Sequence, residues 1–386
     1  MAMDQSILND KGKVRSTLKG EFYTSPEVFE LEKKNIFAKS WLFVGYEYEV
    51  AEPGQYITTK VEGENVLIVR GKDRVLRSFL NVCRHRGATL CSDPSGKAGI
   101  IRCPYHSWSY GLDGSLLGVP KSSECREELI NNDTYGLEEV NLQTWHGMIW
   151  LNFSENPMPV EQQLDSQIID RFGELETFGR YQIQNLRVAH RKEYDVKANW
   201  KIIVENFQEC YHCSAIHPEL TAALPEFKTG IGTQNAVGIG ADFNEDLEAF
   251  SISGKGNRPM LKGLLPEDDR IYYGMTIIPH VFINLTPDHV ITHRIIPIST
   301  DRSIVICDWL FDPDEMAKLD FDPMDAVELF HRVNEQDFEA CQWCQENMGS
   351  KAYRDGGILV PIEHHVSRFY NYVLESIGTV VDNRFL

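Results

Sequence analysis

The hydrophobic and polar positions of this 386-residue chain change their period twice, which divides the sequence into three segments. Ser25-Pro26 is typical of a helix start, because serine caps the first turn and proline is favoured at its first position. Apolar residues then recur at helical spacing to about Trp41. We therefore predict an N-terminal helical segment, residues 1–40, that packs on the C-terminal domain.

Residues 41–155 have a shorter period, in which β-type runs alternate with turn sequences that contain glycine. Two cysteine-containing loops interrupt this pattern. We predict a small antiparallel β domain over this segment. Its predicted strands are residues 56–61, 66–70, 75–79, 108–110, 112–116 and 145–153.

Residues 156–386 mix helical and strand periods after a proline-rich boundary at residues 156–159. Residues 228–270 are rich in glycine and acidic side chains and have no clear period, so we predict long loops there. The fold class is therefore α+β. Helices are predicted over residues 162–175, 200–212 and 322–344, and strands over residues 186–196, 276–283, 289–297 and 303–311.

The composition narrows the classes of partner. The formal net charge is -19, from 57 acidic against 38 basic residues, which argues against binding to nucleic acid or to an anionic membrane surface. No run approaches the ~20 apolar residues of a membrane span, and residues 1–17 contain no apolar signal segment. Nine cysteines form no compact framework, so we expect reduced thiols and a cytoplasmic location.

A cluster of cysteine and histidine lies inside the predicted β domain. Cys83 and His85 form a C-x-H motif, and Cys103 and His106 form a C-x-x-H motif. Two thiolates and two imidazoles are the ligand set of a [2Fe–2S] cluster in which cysteines hold one iron and histidines the other. The alternative is a structural zinc site with the same four ligands. Gly87 and the proline between the second pair favour two cluster-binding loops.

A second histidine pair, His212 and His217, lies five residues apart on a predicted helix. On an unbroken helix these side chains would point about 140° apart, so they converge only if the helix ends or bulges between them. Pro218 makes such an end plausible. Two histidines and one carboxylate form the facial triad of non-heme Fe(II) oxygenases, and the carboxylate must come from elsewhere in the chain. We select Asp337, although position alone leaves Glu335 and Glu339 open.

The two motifs together resemble the oxygenase component of Rieske non-heme iron oxygenases, over nearly the whole chain. The family pattern E-N-x-x-(D/E)-x-Y-H-x4-H matches from Glu205 to His217, which implies that His212 and His217 bind iron. The late Gln336-Asp337 pair resembles a Q-D step of the family and implies Asp337 as the third ligand. The resemblance also implies a Rieske domain at residues 41–155 and a helix-grip-like catalytic domain at residues 156–386.

The resemblance gives a catalytic role to Glu209, which lies three residues before the first iron-binding histidine. In the family this carboxylate bridges the iron of one subunit to a cluster histidine of its neighbour. A carboxylate can accept a hydrogen bond from the free N–H of a metal-bound histidine on each side. A head-to-tail ring would bring the two centres close, and the family implies a homotrimer. Glu209 and the loop that contains Cys83 are most similar to the branch that demethylates quaternary amines such as glycine betaine, carnitine and proline betaine.

We therefore expect a terminal oxygenase, a mono- or dioxygenase, that uses O2 to hydroxylate a small-molecule substrate. Electrons from NAD(P)H would arrive through a separate flavin and iron–sulfur reductase, because the chain contains no nucleotide or flavin motif. The expected reaction is oxidative N-demethylation of a quaternary amine such as a betaine. The alternatives are an aromatic-ring or side-chain hydroxylase of the same family, and a zinc-stabilised module without catalytic activity.

Two other groups of residues have alternative interpretations. The C-x-x-C pairs Cys210/Cys213 and Cys341/Cys344 could form a four-thiolate zinc site, but buried thiols are the more common fate of such residues. Several aromatic residues could form a wall that holds an ammonium group by cation–π contact, although an aromatic substrate would suit that wall too. These residues are Tyr272, Tyr273, Phe282, Trp309 and Phe311.

Overall fold

The computed structural model describes residues 15–124, 126–130, 133–230, 236–256 and 258–378. The strands are β1 (Arg15–Ser16), β2 (Leu42–Tyr46), β3 (Gln55–Val61), β4 (Glu64–Arg70), β5 (Leu76–Leu80), β6 (Ser95–Lys97), β7 (Ile101–Arg102), β8 (Ser109–Tyr110), β9 (Leu116–Gly118), β10 (Glu139–Trp145), β11 (Met148–Asn152), β12 (Arg187–Val196), β13 (Ala241–Asp242), β14 (Ile271–Ile277), β15 (Val281–Leu285), β16 (Val290–Ser299), β17 (Arg302–Phe311) and β18 (Ile358–Leu359). The helices are α1 (Glu21–Thr24), α2 (Pro26–Asn35), α3 (Arg126–Ile130), α4 (Val160–Phe172), α5 (Glu176–Gly179), α6 (Trp200–Phe207), α7 (Cys213–Ile216), α8 (Pro218–Ala223), α9 (Pro313–Met316), α10 (Met324–Gln345) and α11 (His364–Ile377).

The chain divides into two compact units. One unit spans Ala38–Gln163 and contains the predicted β domain of residues 41–155. The other combines the described residues before Ala38 with those from Leu164 onward. The predicted N-terminal segment thus groups with the C-terminal part of the chain, and its residues 1–14 lie outside the described residues.

The unit Ala38–Gln163 is built from antiparallel strands, because its short apolar runs are separated by tight turns. A seven-stranded sheet has the order β2-β11-β10-β5-β4-β3-β6, and β7, β8 and β9 form a second sheet of three strands. The β3–β4 hairpin turns at Glu62 and Gly63, which have φ of 53° and 83°. Phe79 and Tyr110 are fully buried in the core of this unit, next to Cys83 and Cys103.

Two predicted strands of this unit were wrong. Residues 112–115, predicted as most of a strand, form a turn before β9, in which Gly111 N–H donates to Ser115 O at 2.8 Å. The sequence 145–153 was predicted as a single closing strand, but two strands, β10 and β11, meet there as a hairpin that pairs Trp145 with Met148. His146 and Gly147 form its two-residue turn with φ of 48° and 75°. Both residues adopt the left-handed conformation that matches the twist of a hairpin. Apolar residues stand directly on both sides of the turn, Trp145 before it and Met148 after it, so the sequence read as one strand.

The second unit is centred on a six-stranded antiparallel sheet with the order β12-β17-β16-β15-β14-β13. Helix α6 begins where the side chain of Asn199 accepts a hydrogen bond from the Lys201 backbone N–H at 3.0 Å, and its apolar side chains are buried. Helix α6 contacts the long helix α10, whose buried residues recur at helical spacing. These two helices position the predicted iron ligands.

Two other predicted elements of this unit have different bounds. The predicted helix 200–212 ends at Phe207, and the predicted strand 276–283 spans the turn between β14 and β15. Pro279 lies in that turn, where its missing N–H removes no ladder hydrogen bond. The predicted loops at residues 228–270 contain the short β13, and their residues 231–235 and 257 lie outside the described residues. Among the helices that the structure describes, all are too short or too polar to cross a membrane.

Candidate metal centres and the adjoining cavity

The four predicted cluster ligands lie on two loops with the same backbone hydrogen bonds. In the first loop, Cys83 N–H donates to Ala88 O at 2.8 Å, and Gly87 N–H donates to Cys83 O at 3.0 Å. In the second, Cys103 N–H donates to Trp108 O at 2.8 Å, and Ser107 N–H donates to Cys103 O at 3.1 Å. We call Cys83–Ala88 and Cys103–Trp108 the cluster loops.

The backbone conformation of the cluster loops explains their equivalence. Gly87 and Ser107 occupy the same place in the two loops and have φ of 74° and 61°. Glycine adopts this left-handed conformation without strain, whereas serine does so at a cost. Each loop therefore turns back on itself within six residues and presents its cysteine inward.

The donor chemistry of the cluster loops fits a [2Fe–2S] cluster. Cys83 and Cys103 are 2% exposed and form no disulfide with each other or with another described cysteine. The rings of His85 and His106 lie with their centroids 4.6 Å apart, and His85 stacks on Trp108 at 5.0 Å. His106 Nδ1 is buried and has no hydrogen-bond partner in the part of the chain that the structure describes, as expected of a nitrogen that binds a metal.

A tyrosine contacts one of these thiols. The Tyr110 hydroxyl lies 3.4 Å from Cys83 Sγ and accepts a hydrogen bond from the Arg84 backbone N–H at 3.1 Å. Burial raises the pKa of Tyr110 above its ordinary value, so the hydroxyl keeps its proton and can donate it to the sulfur. Hydrogen bonds to the sulfurs are one of the factors that set the reduction potential of an iron–sulfur cluster.

The second predicted centre depends on a break in the backbone. Helix α6 ends at Phe207, so His212 stands just before the short helix α7 and His217 just after it. The two imidazole rings lie with centroids 5.1 Å apart and planes at 77°. We predicted that the two side chains converge only if the helix ends or bulges between them. The structure has no continuous helix from Trp200 to His217, but the helix ends at Phe207, before His212, rather than at Pro218.

His212, His217 and Asp337 converge on one point. Their ligand atoms all lie within 4.8 Å of one another, and Asp337 comes from helix α10. Asp337 Oδ1 is 2.8 Å from His217 Nε2 and 3.3 Å from His212 Nε2. Burial opposes the charge of Asp337, but its hydrogen bonds to both histidines outweigh burial and hold its pKa well below the usual range. The three side chains could hold a divalent metal with two nitrogens and one oxygen.

The alternatives for the third ligand point elsewhere. Glu335 and Glu339 are exposed, and Glu335 lies 3.4 Å from His331. A buried stripe on helix α10 explains the difference, because Phe330, Val333 and Asp337 share one face at spacings of three and four residues. This periodicity is a signal in the sequence that could have selected Asp337.

The zinc alternatives are not supported by geometry. Within the described part of the chain, the set His212, His217 and Asp337 alone brings three metal-binding side chains to one point, and it contains no cysteine. Ligands of a single zinc ion would all lie close together, whereas a cluster of two irons spreads its ligands over two metals. Cys210 and Cys213 approach each other, with their sulfurs 2.7 Å apart, but Cys344 is exposed.

Glu209 contacts the first histidine of this set. Glu209 Oε1 accepts a short hydrogen bond from His212 Nδ1, and Glu209 Oε2 accepts from the backbone N–H of Tyr211 and, at 3.3 Å, of His212. The carboxylate therefore fixes the ring of His212 with Nε2 directed at Asp337.

A residue without a role in the sequence prediction contacts the other histidine. Gln336 Oε1 lies 2.8 Å from His217 Nδ1, and Gln336 Nε2 donates to Glu219 Oε2 at 3.3 Å. Gln336 immediately precedes Asp337 and is the first residue of the Q-D step. Its contact with His217 had no signal in the sequence beyond that adjacency.

A cavity of about 670 Å³, counted with its mouth, opens beside His212, His217 and Asp337. Five aromatic rings contribute to its wall: Phe207, Phe227, Tyr272, Phe282 and Phe330. Of the predicted aromatic wall, Tyr272 and Phe282 line the cavity. Tyr273 instead contacts Arg171, Trp309 packs against His190, and Phe311 stacks on His289, because these three side chains point away from the cavity.

The polar lining of the cavity is rich in oxygen. Asn206 Oδ1, Gln208 Oε1 and Thr276 Oγ1 are buried without a hydrogen-bond partner among the described residues, and all three residues line the cavity. Glu209 and Asp337 add two carboxylates. Among the described residues that line it there is no lysine and no arginine. The cavity is therefore suited to a group of positive charge rather than to an anion.

Comparisons with known proteins match both parts of the chain. The family described as "Ring hydroxylating alpha subunit (catalytic domain)" matches residues 183–379, and "Rieske [2Fe-2S] domain" matches residues 40–141. The chain is 32% identical to the carnitine monooxygenase oxygenase subunit of Acinetobacter baumannii, over 92% of this chain and 93% of that protein. It is 28% identical to the glycine betaine monooxygenase oxygenase subunit of Chromohalobacter salexigens, over 94% and 86% of the two chains.

Solved structures show the same fold. The quaternary ammonium Rieske monooxygenase CntA in complex with L-carnitine superposes with a TM-score of 0.74 at 28% identity, over 98% of this chain and 99% of that chain. Naphthalene 1,2-dioxygenase from Rhodococcus sp. gives 0.73 at 18% identity, over 94% of each chain, which supports the fold alone. The predicted α+β class, with a β Rieske domain and a catalytic domain of helices and antiparallel sheet, is confirmed.

Proposed function

This chain belongs to the ring-hydroxylating alpha subunits of Rieske oxygenases, and we propose that it removes an N-methyl group from a quaternary amine. As a member of this family the chain is an oxygenase subunit that uses a Rieske [2Fe–2S] cluster and a mononuclear iron. It acts on a small molecule and receives its electrons from a separate reductase.

We assign the metal ligands as follows. Cys83, His85, Cys103 and His106 hold the cluster, and His212, His217 and Asp337 hold the iron. When bound, the cluster supplies electrons and the iron activates O2 for insertion of one oxygen atom into a C–H bond. The buried, unpartnered His106 Nδ1 supports the first assignment, and the convergence of three ligand atoms within 4.8 Å supports the second.

The lining of the cavity is the observation on which the substrate assignment depends. The aromatic faces of Phe207, Tyr272 and Phe330 can hold a quaternary ammonium group by cation–π contact, worth up to about 2 kcal/mol when desolvated. The polarised N-methyl hydrogens can contact the unpaired oxygens of Asn206 and Gln208. Two carboxylates raise the preference for a cation further.

The same lining disfavours the alternative of an aromatic acid. Such a substrate would bring a carboxylate into a cavity that already contains Glu209 and Asp337 and has no lysine or arginine among its described lining residues. Burying an unpaired anion beside two carboxylates is costly. The carboxylate of a betaine would need the amides of Asn206, Gln208 and Asn284 as its donors, so a carboxylate-free amine such as choline belongs in the same test.

The overall reaction follows from the chemistry of an N-methyl group. Substrate, O2, two electrons and two protons give water and an N-hydroxymethyl product, which breaks its C–N bond to release formaldehyde and the demethylated amine. The aromatic wall holds the ammonium group and leaves a methyl group facing His212, His217 and Asp337. The cavity wall also excludes bulk water from the reacting carbon.

Glu209 is proposed to connect the two kinds of centre between subunits of a homotrimer. Its hydrogen bond with His212 provides one half of the bridge. A cluster histidine of a neighbouring subunit would provide the other half. His85 is exposed in this chain, so it is accessible for such a contact. One solved structure of a quaternary ammonium Rieske monooxygenase is described as giving insight into inter-subunit electron transfer in that enzyme. The flavin and iron–sulfur nature of the reductase and a cytoplasmic location remain predictions, which the redox chemistry of the cofactors favours.

A substrate panel tests the proposed reaction. The purified subunit with a reductase is supplied with glycine betaine, carnitine, choline, an aromatic acid and the neutral tert-butyl analogue of choline. We expect formaldehyde in equal amount to product from at least one quaternary amine, and no turnover of the neutral analogue or the aromatic acid. Hydroxylation of the aromatic acid without formaldehyde from any amine would support the alternative hydroxylase.

A variant makes this test specific to the aromatic wall. Phe330→Leu keeps an apolar side chain but removes the ring, so KM for the quaternary amine should rise about 5- to 30-fold. Phe321→Leu, a residue that does not line the cavity, serves as the control. An unchanged KM for Phe330→Leu would show that the amine does not lie against this wall.

A further inference from the structure

We propose that Gln336 is a positioning residue that fixes which nitrogen of His217 faces the iron, and that Glu219 fixes the orientation of Gln336. This inference depends on the proposed iron site. Four side chains contact one another in series, and each contact sets the orientation of the next side chain. We call Arg332, Glu219, Gln336 and His217 the histidine relay.

The carboxylate of Glu219 sets the direction of the hydrogen bonds in the relay. Glu219 is a carboxylate and can only accept hydrogen bonds, so it must face the NH2 group of Gln336 rather than its oxygen. The distance from Gln336 Nε2 to Glu219 Oε2 is 3.3 Å. Gln336 Oε1 is therefore turned toward His217, whose Nδ1 lies 2.8 Å away.

The orientation of Gln336 then determines the tautomer of His217. A carbonyl oxygen can only accept, so Nδ1 of His217 must carry the proton and donate it. His217 Nε2 lies 2.8 Å from Asp337 Oδ1 and donates a second proton to it while no metal is bound. When a metal replaces that proton, Nδ1 keeps its own proton and the lone pair of Nε2 faces the centre of the triad. Gln336 thus selects, for the ring that gives up its Nε2 proton, the tautomer that a metal requires.

The outer end of the relay is anchored on the same helix. Arg332 precedes Gln336 by four residues on α10, and its guanidinium lies 3.4 Å from Glu219 Oε1. Residues four apart share one face of a helix, so α10 presents Arg332 and Gln336 together to the two ends of the Glu219 carboxylate. Glu219 lies in the first turn of α8, two residues after His217, so this helix start places the carboxylate beside the second histidine.

The two histidines of the triad therefore have different partners. His212 donates to the carboxylate of Glu209, whereas His217 faces a neutral amide. A carboxylate can take the ring proton and increases the electron donation of the ring, while an amide oxygen only orients it. Glu209 is thereby free for a role in electron transfer between subunits, and the relay holds the second ligand without adding charge.

The test measures metal binding, with the cluster as an internal reference. The cluster-containing protein is stripped of its mononuclear iron and titrated with Co(II). Gln336→Leu should weaken Co(II) binding about 10- to 100-fold, the usual effect of losing an outer partner of a metal-binding histidine. The visible absorbance of the cluster should not change. Gln336→Glu retains an acceptor for Nδ1 and should recover most of the affinity.

A double variant tests the order of the relay. Glu219→Ala should weaken Co(II) binding in the wild-type background but have no further effect in the Gln336→Leu background, because it acts only through Gln336. In the Co(II) protein, the shifted N–H proton of His217 should exchange with D2O faster in both single variants. Glu339→Gln, an exposed change on the same helix, serves as the control.

The outcomes are separable. Gln336→Leu with wild-type Co(II) affinity and wild-type N–H exchange would overturn the relay. Additive effects of the two changes would overturn the proposed role of Glu219. If Gln336→Leu loses its cluster or unfolds, Glu219→Ala, which does not touch the ring, decides by the same two measurements. Absence of Co(II) binding by the wild-type protein would instead reject the proposed iron site.

Discussion

The two predicted metal centres of this protein are built in opposite ways. The cluster loops lie within one short stretch, and each is closed by its own pair of backbone hydrogen bonds. The proposed iron ligands come from segments 120 residues apart, and Asp337 reaches His217 because α10 packs on α6. The first centre is specified locally and the second by tertiary packing.

The surroundings of the two centres differ as well. In the described part of Ala38–Gln163 the buried polar residues are Ser78, Asn81 and Asn152, all uncharged. The other unit buries a set of ionisable side chains near α6, in which Lys201 contacts Glu32 at 2.6 Å and Tyr23 donates to Glu205 at 2.7 Å. Loss of iron, and changes of pH, should therefore affect the proposed iron centre and leave the proposed cluster centre intact.

The largest expected effect separates the two centres completely. Asp337→Ala removes the only carboxylate of the triad, so mononuclear iron should be lost and turnover should fall to the background. The absorbance and low-temperature magnetic signal of the cluster should be retained. Metal analysis and spectroscopy on the same sample provide both measurements.

The reciprocal variant completes this comparison. Cys103→Ser should abolish the cluster spectrum while Co(II) still binds at His212, His217 and Asp337. If either change removed both metals, the two centres would not be independent as their construction implies.

A smaller effect is expected where the two centres are proposed to communicate. Glu209→Ala leaves all seven assigned ligands in place but removes the partner of His212 Nδ1. Turnover should fall about 10- to 100-fold or more, while the reductase still reduces the cluster. Single-turnover measurements with a pre-reduced cluster provide the test, with Glu339→Ala as the exposed control on α10. Unchanged turnover would reject the bridge between subunits.

The smallest effect concerns stability and pH. Burial raises the pKa of Glu205 from 4.5 to about 8, against the opposing hydrogen bond from Tyr23 and the charge of Lys201. The folded state therefore holds a proton that the unfolded chain releases above pH 4.5, so this contribution to stability is complete below that pH and is lost as the pH rises toward 8.

Replacing Glu205 isolates this contribution. The difference in unfolding free energy between the wild type and Glu205→Gln should change by at most about 1.4 kcal/mol per pH unit across that range, in favour of the variant at the higher pH. Denaturant unfolding at pH 5, 6.5 and 8 measures it. A difference that does not depend on pH would show that Glu205 is ionised in the folded protein.

The sequence was informative where a site is local. The spacing of Cys83, His85, Cys103 and His106 was sufficient to predict a cluster, because each pair needs only its own loop. The condition that the helix must end between its two histidines followed from the rotation per residue, but the position of the break at Phe207 did not.

The remaining features depend on packing between distant segments. Asp337 could have been selected by its place on the buried stripe of α10, but Gln336 lies at the edge of that stripe, and its contact with His217 depends on where α8 docks. The prediction of a single strand over the His146-Gly147 hairpin followed from the apolar residues directly on both sides of the turn, Trp145 and Met148. The aromatic residues of the cavity could not be separated from those of the core, since both lie on the same strands.

Gln336 and Asp337 are neighbours on α10, a single helix of 22 residues, so they move together. A shift of α10 along its axis would move Asp337 away from the metal and, at the same time, break the contact of Gln336 with His217. Binding and release of the metal are therefore coupled to the packing of the whole helix. A bound metal should stabilise the packing of α10 against the sheet along its full length.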